Sequence, residues 1–187
     1  TGVRRTHIHN IRLAALLSLT AGSVNAEGFL GFSVLTTNVT GHAALFAEKV
    51  SLRDWRTSWV IALWMLLFLG GAFVSSLIIG IIGKNQRYSY VIPILLELGI
   101  LITIATLGSY YKGSLTGRQV YAGSLLLAMG MQNALVSMIS RSVVRTTHLT
   151  GTFTDLGIDL AQLIRTRNDG RAALKSRITL KMVIILF

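Results

Sequence analysis

The sequence contains no cysteine and a single proline, and only 13% of its 187 residues are charged. Without cysteine there is no disulfide framework and no thiolate metal site. With one proline, Pro93, few helices are broken by a ring, and Pro93 itself reads as a kink. Acidic residues are scarcer still, 7 against 18 Lys and Arg, for a net charge of +11. On a soluble face that excess would suggest nucleic acid. Here the basic residues stand between apolar blocks: Arg4, Arg5 and Arg12, then Lys84 and Arg87, then a run from Arg165 to Lys181. Such flanks belong to membrane spans, and no nucleic-acid partner is expected. Nucleophile elbows, phosphate loops and zinc-protease patterns are all missing, so we expect no enzyme and no cofactor.

What is present is apolar length, with 52% of residues hydrophobic. Thr57 to Gly83 runs 27 residues without a charge and Gln119 to Ser140 runs 22. Each can cross a hydrocarbon layer of ~30 Å at ~1.5 Å per residue. Tyr88 to Tyr111 is interrupted only by Glu97, and Leu13 to Ala47 only by Glu27. The expectation is an all-α, polytopic transmembrane bundle forming one membrane domain over 1–187. The first helix lacks a cleavage signal and reads as retained. At the other end, an apolar run starting near Ile178 reaches Phe187 after too few residues to cross, which reads as a truncated C-terminus.

Two polar runs recur 110 positions apart: Thr36, Thr37, Asn38, Val39, Thr40, Gly41 and Thr146, Thr147, His148, Leu149, Thr150, Gly151. Upstream of them, Gly22, Asn25 and Ala26 align with Gly130, Asn133 and Ala134. This pattern is an internal repeat, with a first unit at 11–111 and an incomplete second at 118–187. Clustered Thr, Asn and Gly break a helix, and the helices that restart after them, at 39–50 and 149–165, are short for a crossing. Re-entrant helices would give each unit three crossings and invert one unit relative to the other. The basic residues do not decide it: with a cytoplasmic N-terminus, 13 of 18 fall inside if the short helices do not cross and 14 if they do.

A broken helix inside a bilayer belongs where protein or a hydrated cavity satisfies its backbone. The candidate substrate site is therefore Asn25, Glu27, Thr37, Asn38, Thr40 and Gly41 from the first unit. Gln132, Asn133, Thr147, His148, Thr150 and Gly151 supply the second. Intramembrane carboxylates are costly, which makes Glu27, Glu97, Asp155 and Asp159 candidates for proton or ion coupling. Plainer readings stand beside these. Thr and Gly also serve close helix packing, and Thr152 with Asp155 has capping-box spacing. Asp155 and Asp159 are placed to pair with Arg165 or Arg167. His42 and His148 are not equivalent in the repeat and lack a second ligand at helical spacing, so no metal is expected. Ala72, Ser76 and Gly80 form a small-residue packing stripe, and Trp55 and Trp59 an interfacial anchor.

The segments "LTAGSVNAEGFL", "TTNVTGH", "AMGMQNALVSMIS" and "RTTHLTGTFTDLG", in this order, resemble the YoaK family over Leu13 to Phe187. The resemblance implies a bacterial multi-pass inner-membrane protein of six or seven spans. It brings no established substrate, cofactor or catalytic residue. His42 departs from the asparagine that family members often carry after the first Thr-Gly. Taken together, the residues point to a small secondary transporter with a polar site between its two units. The partners expected are the lipid bilayer and a small-molecule or ion substrate, with homo-oligomerisation left open. The alternative is a non-transporting scaffold or sensor whose polar motifs cement helices.

Overall fold

A computed structural model describes residues 7–83, 88–110, 114–139, 149–165 and 171–186. Among these there are seven α-helices and no strand. They are α1 (His7–Phe32), α2 (Val39–Ser51), α3 (Trp55–Ile82), α4 (Tyr88–Leu107), α5 (Leu115–Ile139), α6 (Leu149–Arg165) and α7 (Arg171–Leu186), with a 3-10 turn at Gly108–Tyr110. Three of them, α3, α4 and α5, are long and apolar enough to cross a membrane. The molecule is a helical membrane bundle, and α5 is its centre: 61% of its apolar window is buried, against 17% for α3 and 11% for α4.

The α3–α5 contact is the most extensive in the bundle. Glycine makes it. A Cβ on Gly71 would lie 2.0 Å from the Leu127 carbonyl oxygen, and one on Gly130 would lie 2.0 Å from that of Phe68. Backbone thus touches backbone, the close approach that small residues permit between helices with no lipid in the seam. The Trp64 indole N–H donates to the Gln119 carbonyl at 3.2 Å, nearer the start of both helices, so α3 and α5 run parallel. The packing stripe of α3 is Gly71, Ser75 and Ile79, all buried. Our expected stripe of Ala72, Ser76 and Gly80 is one residue out of phase, and Gly80 has open space around it.

Against α1, α5 runs the other way. Phe32 stacks on Tyr121 with centroids 5.7 Å apart. Four residues back along α1, Gly28 faces Leu125. Further back, Leu17 packs on the cluster holding Val136. Each step toward the start of α1 is a step toward the end of α5, so the helices are antiparallel.

Between α1 and α2 the chain folds back on itself. Ser33 takes a left-handed conformation (φ 56°), and the Val34 N–H donates to the Gly28 carbonyl at 3.1 Å. Gly28 is required there, because a Cβ would sit 2.4 Å from the Thr36 methyl. The Thr36 hydroxyl then donates to the Val24 carbonyl, so the segment climbs back along α1 by about two turns from its end at Phe32. At this inner level α2 begins. It returns to the end where α3 starts, closing with Arg53 in the left-handed region (φ 57°) and an Asp54 N–H bond to the Lys49 carbonyl, the pattern that ends helices in tight hairpins. Asp54 caps α3. Its side chain accepts from the Thr57 N–H at 3.1 Å, and hydrogen bonding from Thr57 lowers its carboxyl pKa from the ordinary value. Trp55 and Trp59 are exposed beside it.

The chain's last two helices form a second hairpin, and α7 also packs on α1. It begins at Arg171, earlier than the Ile178 start expected from sequence. Leu180 and Ile184 of α7 join Val136 and Leu17 in one buried cluster.

Replacing Gly71 with leucine forces the α3–α5 backbones apart and is expected to cost more than ~3 kcal/mol, the upper range for overpacking. Gly80→Leu, facing open space, should stay within ~0.5 kcal/mol. Thermal unfolding of both variants in detergent reads the difference.

Candidate functional site

Asn25 organises the site by holding the break. Its side-chain oxygen accepts the Thr37 N–H at 3.2 Å, so an amide on α1 satisfies a backbone group that neither helix can pair. One residue on, Asn38 caps α2, accepting the Gly41 N–H at 2.9 Å. Gly41 fits because a Cβ would lie 3.0 Å from that same Asn38 side chain. His42 is buried beneath, with Nδ1 2.8 Å from the Asn38 carbonyl. A carbonyl can only accept, so Nδ1 carries a proton. The ring meets Trp64 edge-on at 5.8 Å, and Trp64 reaches α5 through Gln119, so the start of α2 is tied to two other helices.

These elements enclose a cavity of about 780 Å³. It is lined by Asn25, Thr37, Asn38, Thr40 and Gly41, and also by Asn133, Thr150 and Gly151. Residues 108 to 110 positions apart in the chain therefore share one space. Its apolar lining comes mainly from α3: Met65, Phe68, Leu69 and Ala72. Sequence reasoning missed this lining, since nothing distinguishes those residues from lipid-facing ones except the small side chain of Ala72.

Other candidates stand elsewhere. Glu27 is exposed, and at two residues from Asn25 it is ~200° around α1, away from the cavity. Gln132 is buried next to Asn133 but does not line the space, and its Oε1 has no partner. Glu97 is buried on α4 in a stripe with Ser89 and Pro93, outside the cavity lining. Thr147 and His148 lie outside the described residues. Thr152 is no helix cap: α6 starts three residues before it, and the side chain is buried.

Asp155 and Asp159 serve the α6–α7 hairpin. Asp159, with no exposed surface, meets Lys181 Nζ at 2.6 Å and Arg177 at 3.0 Å, while the exposed Asp155 lies 3.8 Å from the same lysine. Their described partners come from α7, because antiparallel packing brings residues of α6 opposite residues of α7. Arg167 and the side chain of Arg165, the partners expected from sequence, lie outside the described residues.

Residues 13–187 match the family described as protein of unknown function (DUF1275). The chain belongs to that family. It is 26% identical over 177 residues to the UPF0700 transmembrane protein YoaK of Bacillus subtilis strain 168, a match covering 94% of this chain and 78% of YoaK. The motif resemblance read from sequence agrees with the match to YoaK, which is described as a transmembrane protein, and the three long apolar helices support a membrane location for this chain. No solved structure matches it.

Removing Lys181 leaves the buried Asp159 with only the largely exposed Arg177, so Lys181→Met is expected to destabilise by about 1–3 kcal/mol, less than a fully unpaired buried charge would cost. The double variant Asp159→Leu/Lys181→Met should recover most of that loss, because apolar replacement of both partners removes the desolvation cost. Equilibrium unfolding in detergent gives both values.

Proposed function

We propose that this protein is a small secondary transporter, a permease whose polar site lies between two inverted repeat units, 11–111 and 118–187. The observation that carries the reading is the shared cavity: Thr40 with Gly41 and Thr150 with Gly151, from the two duplicated breaks, line it together with Asn25 and Asn133. Repeat-built transporters place their sites where discontinuous helices meet at such an interface.

The helix directions support inversion. Equivalent helices α1 and α5 are antiparallel, and the packing pairs exchange under the repeat: α2–α3 with α6–α7, and α3–α5 with α7–α1. In this arrangement α2 leaves the cavity toward one face and α6 toward the other. Two hairpins then flank one site from opposite sides, which is the geometry alternating access requires. The face holding the start of α1 receives 13 of the 18 Lys and Arg, so we assign it to the cytoplasm of a bacterial inner membrane. No enzymatic step forms part of the proposal.

A scaffold or sensor is the second reading, and one observation favours it: Asn25 and Asn38 both spend their oxygens on backbone N–H groups. The two readings separate in one experiment. Full-length protein reconstituted in liposomes is expected to move a solute in a broad uptake screen. Thr40→Val/Thr150→Val, isosteric at both sites, should lower that uptake about a hundredfold while stability shifts by no more than ~1 kcal/mol. No transport by the parent protein, with a variant that merely melts earlier, would leave the scaffold.

Topology has its own test, because the chain has no native cysteine to mask. Ser51→Cys and Ser114→Cys, at the start of α3 and α5, should react with an impermeant maleimide in intact cells. Arg171→Cys should react only after permeabilisation, and labelling of all three from one side would remove the inversion.

A further inference from the structure

We infer that the cavity takes a small uncharged solute that has a hydrogen-bonding edge and an apolar face. This rests on the permease reading above and adds the substrate class. The lining offers amides and hydroxyls, from Asn133, Thr40, Thr150 and Asn25, the last with its Oδ1 already taken by the Thr37 N–H. It also offers apolar surface from α3, with Phe68 and Met65 prominent. A solute matching both kinds of surface carries a hydrogen-bonding group and a flat or aliphatic part. The volume, about 780 Å³, falls within the ~300–1,000 Å³ of small-molecule sites.

Charge decides the rest. None of the described lining residues carries a formal charge. The intramembrane carboxylates are placed elsewhere: Glu27 on the far side of α1, Glu97 on α4, and Asp159 bound to Lys181 and Arg177. A cation entering the cavity would leave water and meet no counter-charge, and α2 starts at the cavity with the positive end of its dipole. An anion would meet that dipole end with fewer donors than a helix start usually offers. Of the N–H groups at the break, that of Thr37 is already held by Asn25 and that of Gly41 by Asn38. What remains is a site that rewards hydrogen bonds without balancing a net charge.

The test uses full-length protein in liposomes with a membrane potential set by potassium and valinomycin. Neutral probes are glycerol, acetamide and uracil; charged probes are sodium, methylammonium, formate and chloride. A potential of ~100 mV changes the accumulation of a singly charged solute by about fiftyfold and leaves a neutral one unchanged. The expected result is uptake of a neutral probe that ignores the potential, with charged probes no faster than in protein-free vesicles. Potential-driven uptake of a charged probe overturns the substrate class and leaves the permease standing. Movement of no probe at all overturns the inference, and if a broader screen also finds nothing, the permease falls with it. Ala72→Phe, which fills the apolar wall, should reduce neutral uptake about tenfold or more in protein that elutes and melts as the parent does. Undiminished uptake in that variant places the passage outside this cavity and overturns the proposal as well.

Discussion

Hydrocarbon offers no water to a backbone N–H, so a helix that stops inside a bilayer must find every lost partner within the protein. Under the permease reading the constraint falls on residues 33–38, where α1 has ended and α2 has not begun. Local means meet it. Ser33 in the left-handed region turns the chain, Gly28 lets it approach, the Asn25 side chain takes the Thr37 N–H, and Asn38 takes that of Gly41. Those bonds hold the break about two turns inward from the end of α1, and the cavity lies at that level. The polar residues are therefore structural and site-forming at once. Asn25 reaches the break with its oxygen and still lines the open space.

The two hairpins solve similar packing problems with different chemistry. The α2–α3 pair is joined by an aromatic edge contact between His42 and Trp64. The α6–α7 pair is joined by a buried ion pair, Asp159 with Lys181, supported by Arg177 from the surface. An ion pair with little solvent around it is strongly coupled to its geometry, because separating the charges in a low dielectric costs more than in water. An aromatic edge contact tolerates sliding. Under the permease reading the two sides of the site are consequently unequal, with the α6–α7 hairpin the stiffer.

Much of the helical plan was legible in the residues. The bounds of α2 and α6 follow from Thr, Asn and Gly clusters that break helices, and α3, α4 and α5 from charge-free length. Where reading failed, the causes are physical. The start of α7 was placed seven residues late because Lys175, Arg177 and Lys181 look like linker, while in the fold α6 supplies carboxylates to two of them. The stripe on α3 was read one residue out of phase because small residues adjoin there, Gly70 with Gly71 and Ala72, Ser75 with Ser76, and composition does not say which face meets α5. The polar half of the site was visible through its duplication. Its apolar half was not, since Met65, Phe68 and Leu69 carry no mark that separates a cavity wall from a lipid-facing surface.

The glycine contact between α3 and α5 bears on assembly. These helices are partners in space but are separated in the chain by α4, and the atoms nearest to Gly71 and Gly130 are backbone atoms of the other helix. During synthesis α3 leaves the translocon first and must reside among lipids with its groove vacant until α5 follows. The central seam of the bundle therefore closes late in biogenesis, and for that interval the nascent protein depends on hydrophobicity alone to hold α3 in the membrane.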